Sequence, residues 1–204
     1  MYYPLMINIK NKDITIIGAG KIAFRKTKKL LEFGANVKVV GISIESQFNA
    51  LKEKYNNRLE IINDEYNKMY ILHSFLVIAA TSSKKVNEEI ARECRKNKIL
   101  CNTVNSIDSS DFIVPSTIQR GDLVIAVSTT GKSPSLSSKI RKELEERYTD
   151  EYEEYVNLLG KTRKIIVGTY KDEVIKKRIL NYIVNLNLDE LRKYFYELVN
   201  NQKE

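Results

Sequence analysis

Ile14-Thr15-Ile16-Ile17-Gly18-Ala19-Gly20-Lys21-Ile22-Ala23 is the stretch on which the fold turns. The short β-branched run reads as a strand buried on both faces, as in a parallel sheet. Glycines end it, and Lys21 to Phe33 then reads as a helix, with Ile22, Ala23, Leu30 and Phe33 apolar, a basic outer face and Gly34 as its stop. A G-x-G-x-x-A placed between strand and helix suits a dinucleotide. Gly18 permits the tight turn, Gly20 lets the backbone approach a pyrophosphate, and Ala23 lets the helix lie close on the sheet. The helix start adds unpaired N–H groups and partial positive charge for the phosphates. The plain alternative is that the glycines only punctuate a turn. One part of the fingerprint is missing, because the second strand should end in Asp or Glu to hold the ribose. Here Val40-Gly41-Ile42-Ser43 follows and the first acid is Glu45. Ribose recognition then rests on backbone groups and Ser43, and with no arginine there to meet a 2′-phosphate the reading favours NAD.

Outward from that stretch the pattern repeats. Val37 to Val40 reads as a second strand, residues 46–55 as a helix, Leu59 to Ile62 as a third strand and Glu65 to Leu72 as a short helix. Phe75 to Ala80 is a fully apolar strand, Ser83 to Lys96 an amphipathic helix and Leu100 to Val104 a fifth strand. Strands alternating with helices predict an α/β fold with an N-terminal Rossmann-type parallel sheet covered on both faces. The texture changes near Pro115. Gln119-Arg120-Gly121-Asp122 reads as a turn, and Leu123 to Val127 as a strand with no obvious partner in its own sheet. Ser133 at an N-cap and Pro134 behind it open a helix to about Tyr148, and from Asp150 onward everything is helical in pattern. An unpaired apolar strand is a liability that a second chain can cover. The division expected is a Rossmann domain over 1–114, a small dimerisation segment over 115–148 and a helical C-terminal domain over 149–204.

Composition bounds the function. The chain has 204 residues, 43% hydrophobic and 29% charged, which is globular rather than disordered. No apolar run reaches the roughly 18 to 20 residues of a membrane helix, and the first six residues show no secretory pattern. Two cysteines without a C-x-x-C spacing argue against a disulfide scaffold and for a reducing cytoplasm. The formal charge is +8, and the first 114 residues carry 18 of the 34 basic groups against 12 of the 26 acidic ones. Such a surplus suits an anionic partner or simply a lysine-rich surface. With no run of five like charges and no aromatic–basic pattern, nucleic acid is not the partner expected.

Several segments together resemble one family. Tyr3-Pro4-Leu5, the glycine motif followed by Arg25-Lys26, and Ala79-Ala80-Thr81 form one set. Cys101-Asn102-x-Val104, Phe112-Ile113-Val114-Pro115 and Val127-Ser128-Thr129-Thr130-Gly131-Lys132-Ser133-Pro134 form the other. Over about residues 1–147 the chain resembles the precorrin-2 dehydrogenase/sirohydrochlorin ferrochelatase family, of siroheme-synthase type. The resemblance implies NAD-dependent oxidation of precorrin-2 to sirohydrochlorin, insertion of ferrous iron in some members, and a homodimer intertwined after Pro115. Carried over by position, the dinucleotide contacts fall on Gly18, Gly20, Lys21, Ile22, Ala23, Ile42 and Ser43, with Thr81 from the second motif. A serine that is phosphorylated in the family stands here as Thr129. The tetrapyrrole is a polycarboxylate, which suits the positive charge, and its candidate contacts are Arg120, Thr129, Lys132, Ser133 and the free N–H groups at the Ser133-Pro134 helix start.

One departure bears on catalysis. Where the family commonly has an aspartate in N-x-V-D, this sequence reads Asn102-Thr103-Val104-Asn105. An amide is neither a carboxylate base nor an anionic iron ligand. Asp108 and Asp111 lie within six residues and can substitute from the same loop, so Asn105, Asp108 and Asp111 are the catalytic candidates and no metal ligand is assigned. Hydride transfer needs positioning more than acid–base power, so oxidation can survive the loss. Asn105 also keeps open a second reading, a non-catalytic regulatory module that binds NAD or tetrapyrrole.

Other signals have plainer readings. Ala126 to Ser133 nearly spells an NTPase phosphate loop, but Ala126 replaces its first glycine and no apolar run ending in Asp follows. His73, the single histidine, is expected to cap a helix C-terminus or lie at the surface. Cys94 and Cys101 are expected as helix-face and strand residues, Tyr148, Tyr152 and Tyr155 as packing, and Arg25-Lys26 and Lys28-Lys29 as a solvated helix face.

Overall fold

The computed structural model describes residues 2–200 and divides between Val114 and Pro115 into two compact units. In the first, five strands run β1 (Asp13–Ile17), β2 (Asn36–Val40), β3 (Leu59–Ile62), β4 (Leu76–Ala79) and β5 (Leu100–Thr103), with helices α1 (Lys21–Glu32), α2 (Gln47–Lys54) and α3 (Lys84–Lys96) between them. All neighbours are parallel, in the order β3-β2-β1-β4-β5. The chain winds outward one way from β1 and then returns to β4 on its other side. Between β1 and β4 the order reverses, and in such sheets ligands bind beyond the strand ends at that point.

Period-two alternation sorts the strands' side chains. Ile14, Ile16, Val37, Val39, Leu59, Leu76 and Ile78 pack with Ala23 and Leu31 of α1 and Phe48 and Leu51 of α2. Ile17, Val40, Val77, Ala79 and Cys101 pack with Ile90, Ala91 and Cys94 of α3. α1 buries Ala23, Thr27 and Leu31, one stripe at four-residue spacing. Gly34, at φ +83, turns the chain out of it. The edge of β5 is tied to the loop that follows. Asp111 N–H donates to the Cys101 carbonyl at 2.8 Å, and the Asp111 carboxylate accepts from Cys101 N–H at 3.0 Å.

Two expectations in this unit need correction. The helix expected over 65–72 is a single 3-10 turn, Lys68–Tyr70. Asn67 accepts from Met69 N–H, and Asp64 accepts from Glu65 N–H and from the Tyr70 hydroxyl at 2.5 Å, so local polar bonds take the place of a helix ladder. His73 takes the second of the two places expected for it: there is no helix end to cap, and it lies exposed at φ +70 beyond the turn. Lys26 is not on a solvated face either. It is half-buried and donates to Asn102 Oδ1 at 3.2 Å.

In the second unit β7 (Leu123–Val127) is not alone. It pairs antiparallel with β6 (Ser116–Arg120) around the turn at Gly121, Ile118 opposite Ile125. Gly121 sits at φ +55 under the side chain of Glu153. α4 (Pro134–Arg147) starts at Ser133, whose hydroxyl accepts from Leu136 N–H. The remainder is three helices, α5 (Glu151–Thr169), α6 (Glu173–Ile183) and α7 (Leu188–Asn200), around Ile166, Ile183 and Leu191. The starts of α6 and α7 are written in the sequence. Asp172 accepts from Val174 and Ile175 N–H, and Asn187 and Glu190 exchange side-chain-to-backbone bonds at 3.0 and 2.8 Å as a capping box. Tyr148, Tyr152 and Tyr155 stack edge to face, their ring centres 5.0 and 5.7 Å apart. Among the described residues no helix is long and apolar enough to cross a membrane.

Candidate cofactor and active site

The glycine loop lies at the reversal point of the sheet. Gly18 follows β1 at φ +111 and donates to the Val40 carbonyl at 2.7 Å. It has no room for a side chain, since a Cβ would overlap the Ala80 carbonyl oxygen and lie 2.6 Å from the carbonyl carbon. β4 thus leaves the sheet directly against the loop. Gly20 differs. Its backbone is extended (φ −85, ψ −173), which any residue adopts, and a Cβ built on it meets nothing within 4 Å. Neither conformation nor internal packing requires glycine there. What the missing side chain leaves is open space at the N-terminus of α1, where N–H groups are unpaired and an anion is favoured. A pyrophosphate fits that space, so the residues present suit the dinucleotide.

The neighbouring positions complete a floor and a wall. Ala23 is fully buried under α1, while Lys21 and Ile22 are exposed at its start. Gly41, not singled out from the sequence, brings the end of β2 against Ala19, whose Cβ and backbone nitrogen lie 2.9 Å from where a Gly41 Cβ would be. Ile42 and Ser43 follow, exposed, with Ile42 at 69%. Asn63, just past β3, faces this turn, and with its amide oriented so that the nitrogen meets the two carbonyls it donates to Ile42 at 2.9 Å and Gly41 at 3.3 Å.

Beyond β4 and β5 stands a polar cluster. Asn87 of α3 is completely buried. Its Oδ1 accepts from Thr81 N–H at 3.1 Å and from the Thr81 hydroxyl at 2.7 Å, and its Nδ2 donates to the Thr81 carbonyl at 3.0 Å and to Asn105 Oδ1 at 3.2 Å. Asn105 is itself exposed. The loop after it is laced by hydroxyls. Ser110 Oγ accepts from Thr103 N–H and lies 3.0 Å from Thr103 Oγ1, and the Tyr2 hydroxyl donates to the Ile107 and Ser110 carbonyls. Asp108 is exposed, and Asp111 is spent on the backbone of Cys101. Below them Asn102 donates to the Phe112 carbonyl and accepts from Lys26, whose ammonium is held below the usual lysine value by burial. The sequence reading missed Asn87, Asn63 and Lys26.

Of the residues assigned to substrate, Arg120 is already committed within its own unit, its Nε donating to the Tyr148 carbonyl and paired with Asp150, both at 3.0 Å. Thr129 accepts from Ser133 N–H at 2.9 Å and from the Ser137 hydroxyl, in a turn where Thr130 and Gly131 have positive φ. Lys132 is exposed. Cys94 and Cys101 are free thiols buried against each other, which pushes the Cys94 thiol up through its contact with Cys101 and through desolvation. No three His, Cys, Asp or Glu side chains come together as metal ligands among the described residues. A cavity of about 570 Å³, lined by Thr15, Lys38, Arg58, Glu60 and His73, lies at the opposite ends of the strands from the glycine loop.

Comparison with known proteins gives a consistent result. A family model described as NAD(P)-binding matches residues 5–116, and one described as the central part of a sirohaem biosynthesis protein matches residues 120–147. The siroheme synthase of Psychromonas ingrahamii is 38% identical over 144 residues, 71% of this chain and 30% of that one. The chain thus spans about a third of the length of the siroheme synthases it matches. The precorrin-2 dehydrogenase of Priestia megaterium is 26% identical over 200 residues, covering 96% of this chain and 98% of its own. The solved structure titled SirC, precorrin-2 dehydrogenase, matches with a TM-score of 0.80 at 26% identity, covering 98% of this chain and all of that one.

Proposed function

The chain belongs to the NAD(P)-binding family of sirohaem biosynthesis proteins, and from that premise we propose that it is an NAD-dependent precorrin-2 dehydrogenase. The observation that carries the proposal is Gly20, a glycine that neither backbone conformation nor packing explains, set at a helix start where the sheet reverses. The full-length likeness to a precorrin-2 dehydrogenase supplies the substrate.

NAD⁺ supplies a hydride acceptor when bound. The protein's part is placement. Gly18 and Gly20 with the α1 N-terminus hold the pyrophosphate, and Lys21 and Ile22 supply N–H groups there. Ile42 and Ser43, fixed by Asn63, meet the adenosine end without an acid, and Thr81 borders the path toward β4. Precorrin-2 becomes sirohydrochlorin by losing a hydride and a proton, and with a neutral amide at Asn105 the proton passes to solvent. The exposed Lys132 and the α4 start suit substrate carboxylates better than Arg120, whose charge Asp150 already meets.

A homodimer built on the segment after Pro115 is part of the same proposal, and so is a reducing cytoplasm, which suits two free buried cysteines. The test is direct. Precorrin-2 generated in place is given the protein and NAD⁺, and the sirohydrochlorin spectrum is followed before and after Fe²⁺ is added. Formation of sirohydrochlorin only with NAD⁺ present is the expected result. NAD⁺ binding without turnover would instead establish a regulatory module, the reading that the neutral Asn105 keeps open.

A further inference from the structure

Asn87 is bonded to Thr81, one of the residues assigned to the cofactor, and all its amide atoms are in use. Thr81 settles which end is which. One Asn87 atom accepts from the Thr81 N–H and the other donates to the Thr81 carbonyl, so Oδ1 and Nδ2 cannot be exchanged. The second Nδ2 proton is therefore offered to residue 105, which must answer with an oxygen, and it does so at 3.2 Å. Thr81 lies two residues past the end of β4, and Asn105 two residues past the end of β5. One buried amide thus fastens corresponding points of adjacent strands. It also fixes the exposed Asn105 with its oxygen inward and its NH₂ outward, without an acceptor among the described residues.

We infer that Asn87 is a positioning residue for the oxidation, acting through residue 105. This rests on the dehydrogenase reading above. The geometry requires an acceptor at 105 and is indifferent to whether that acceptor belongs to an amide or a carboxylate. In Asn105→Asp the new carboxylate would accept the same Nδ2 proton. In Asn87→Asp the bond to the Thr81 carbonyl is lost, in the single and the double variant alike, while toward 105 the new carboxylate would be served by Asn105 turned over, its NH₂ now inward. With both substitutions together, two carboxyl groups would face each other with no amide hydrogen to join them, and the pair must either repel or take up a proton that the wild type does not carry there.

The experiment is a double-mutant cycle on the full chain with Asn87→Asp, Asn105→Asp and the pair. Steady-state oxidation of precorrin-2 and NAD⁺ affinity are measured on each. The expected result is that kcat of the double variant falls at least tenfold below the product of the two single effects, while its NAD⁺ affinity equals that of Asn87→Asp alone. Effects that simply multiply would show that Asn87 serves only to hold Thr81, and would overturn the inference. A second measurement does not depend on the folding of the double variant. In Asn105→Ala, a change at an exposed site, one of the two side-chain amide protons of Asn87 loses its partner, and its NMR resonance shifts. An unchanged resonance overturns the contact. If the wild type binds NAD⁺ but oxidises no precorrin-2, the dehydrogenase reading fails and takes the positioning role with it, even where the resonance shifts.

Discussion

Gly18 and Gly20 are two residues apart and are glycines for different reasons, which makes them separable by substitution. Gly18 has a positive φ and the Ala80 carbonyl in the way, so Gly18→Ala strains the folded chain and is expected to cost roughly 3 kcal/mol or more of stability. Gly20 has neither constraint. Gly20→Val is expected to leave the chain folded, with at most about 1 kcal/mol lost at the helix N-cap. Its NAD⁺ affinity should nonetheless fall by at least about tenfold, ~1.4 kcal/mol. Thermal unfolding and a fluorescence titration on both variants check this pair, and unchanged NAD⁺ affinity in folded Gly20→Val would remove the cofactor site from this loop. Lys26 makes a different residue-level prediction. Burial lowers its value in the folded chain, so the folded state sheds its proton at a lower pH than the unfolded state does. Its contribution to stability is therefore least favourable at neutral pH and improves as pH rises toward the ordinary lysine value. Urea unfolding of wild type and Lys26→Met should diverge in slope up to about pH 10, with only the wild type gaining. Above that Tyr66 opposes the trend, because burial first and nearby acidic groups second push its phenol up to about 12, and its stabilising contribution fades as pH climbs.

At the scale of elements, β6 and β7 form a two-stranded ribbon of their own. α4 and α5 cover the ribbon within its own unit, but each of its outer edges presents unpaired backbone groups that a second chain can meet. The finding that β7 has β6 as a partner halves the original argument for a dimer without removing it. Light scattering at micromolar concentration is expected to give about twice the chain mass of 23.6 kDa, and a value near the single-chain mass would refute the dimer. What could be read in advance follows the range of the interactions involved. The β/α alternation and the glycine turn were legible because strand burial and positive φ leave local marks in composition. β6 was not, because Ser116-Thr117-Ile118-Gln119-Arg120 carries one buried residue and is a strand only through its pairing with β7. The stretch 65–72 misled because helix-compatible residues there are tied down by Asp64 and Asn67. Asn87 carries no mark in the sequence beyond its place in an amphipathic helix, and Lys26 reads as part of a solvated helix face. Their burial depends on Thr81, Asn105 and Asn102, and for the last two the partner is 18 and 76 residues away.

For the molecule as a whole, the open issue is whether one chain performs one reaction or two. Oxidation needs two bound molecules held in contact, and in the proposed function the glycine loop and the clamp beyond β4 and β5 supply that positioning. Iron insertion needs more, since protons must leave the pyrrole nitrogens as the metal enters, and that calls for a base or an anionic ligand. The inventory of the described residues is poor in both. His73 lies at the opposite ends of the strands, Cys94 and Cys101 are buried in a core, and no three metal-binding side chains meet. Asn105 is an amide whose oxygen Asn87 already occupies. Asp111 is bonded to the Cys101 backbone, so moving it would free the edge of β5, which leaves Asp108 as the uncommitted carboxylate of that loop. The wild type is therefore expected to oxidise precorrin-2 and insert iron weakly, and Asn105→Asp to gain insertion, because a carboxylate at 105 keeps the Asn87 bond and adds the missing charge. Both activities are measured in the wild type, Asn105→Asp, Asp108→Ala and Asp111→Ala, with a melting curve on each. Asp111→Ala is expected to lower stability by about 1–3 kcal/mol through the unpaired Cys101 N–H, and to affect both activities alike. Strong insertion in the wild type that vanishes in Asp108→Ala alone would place the working carboxylate on the loop and not at 105. Loss of oxidation in that variant would show that hydride removal also draws a base from it.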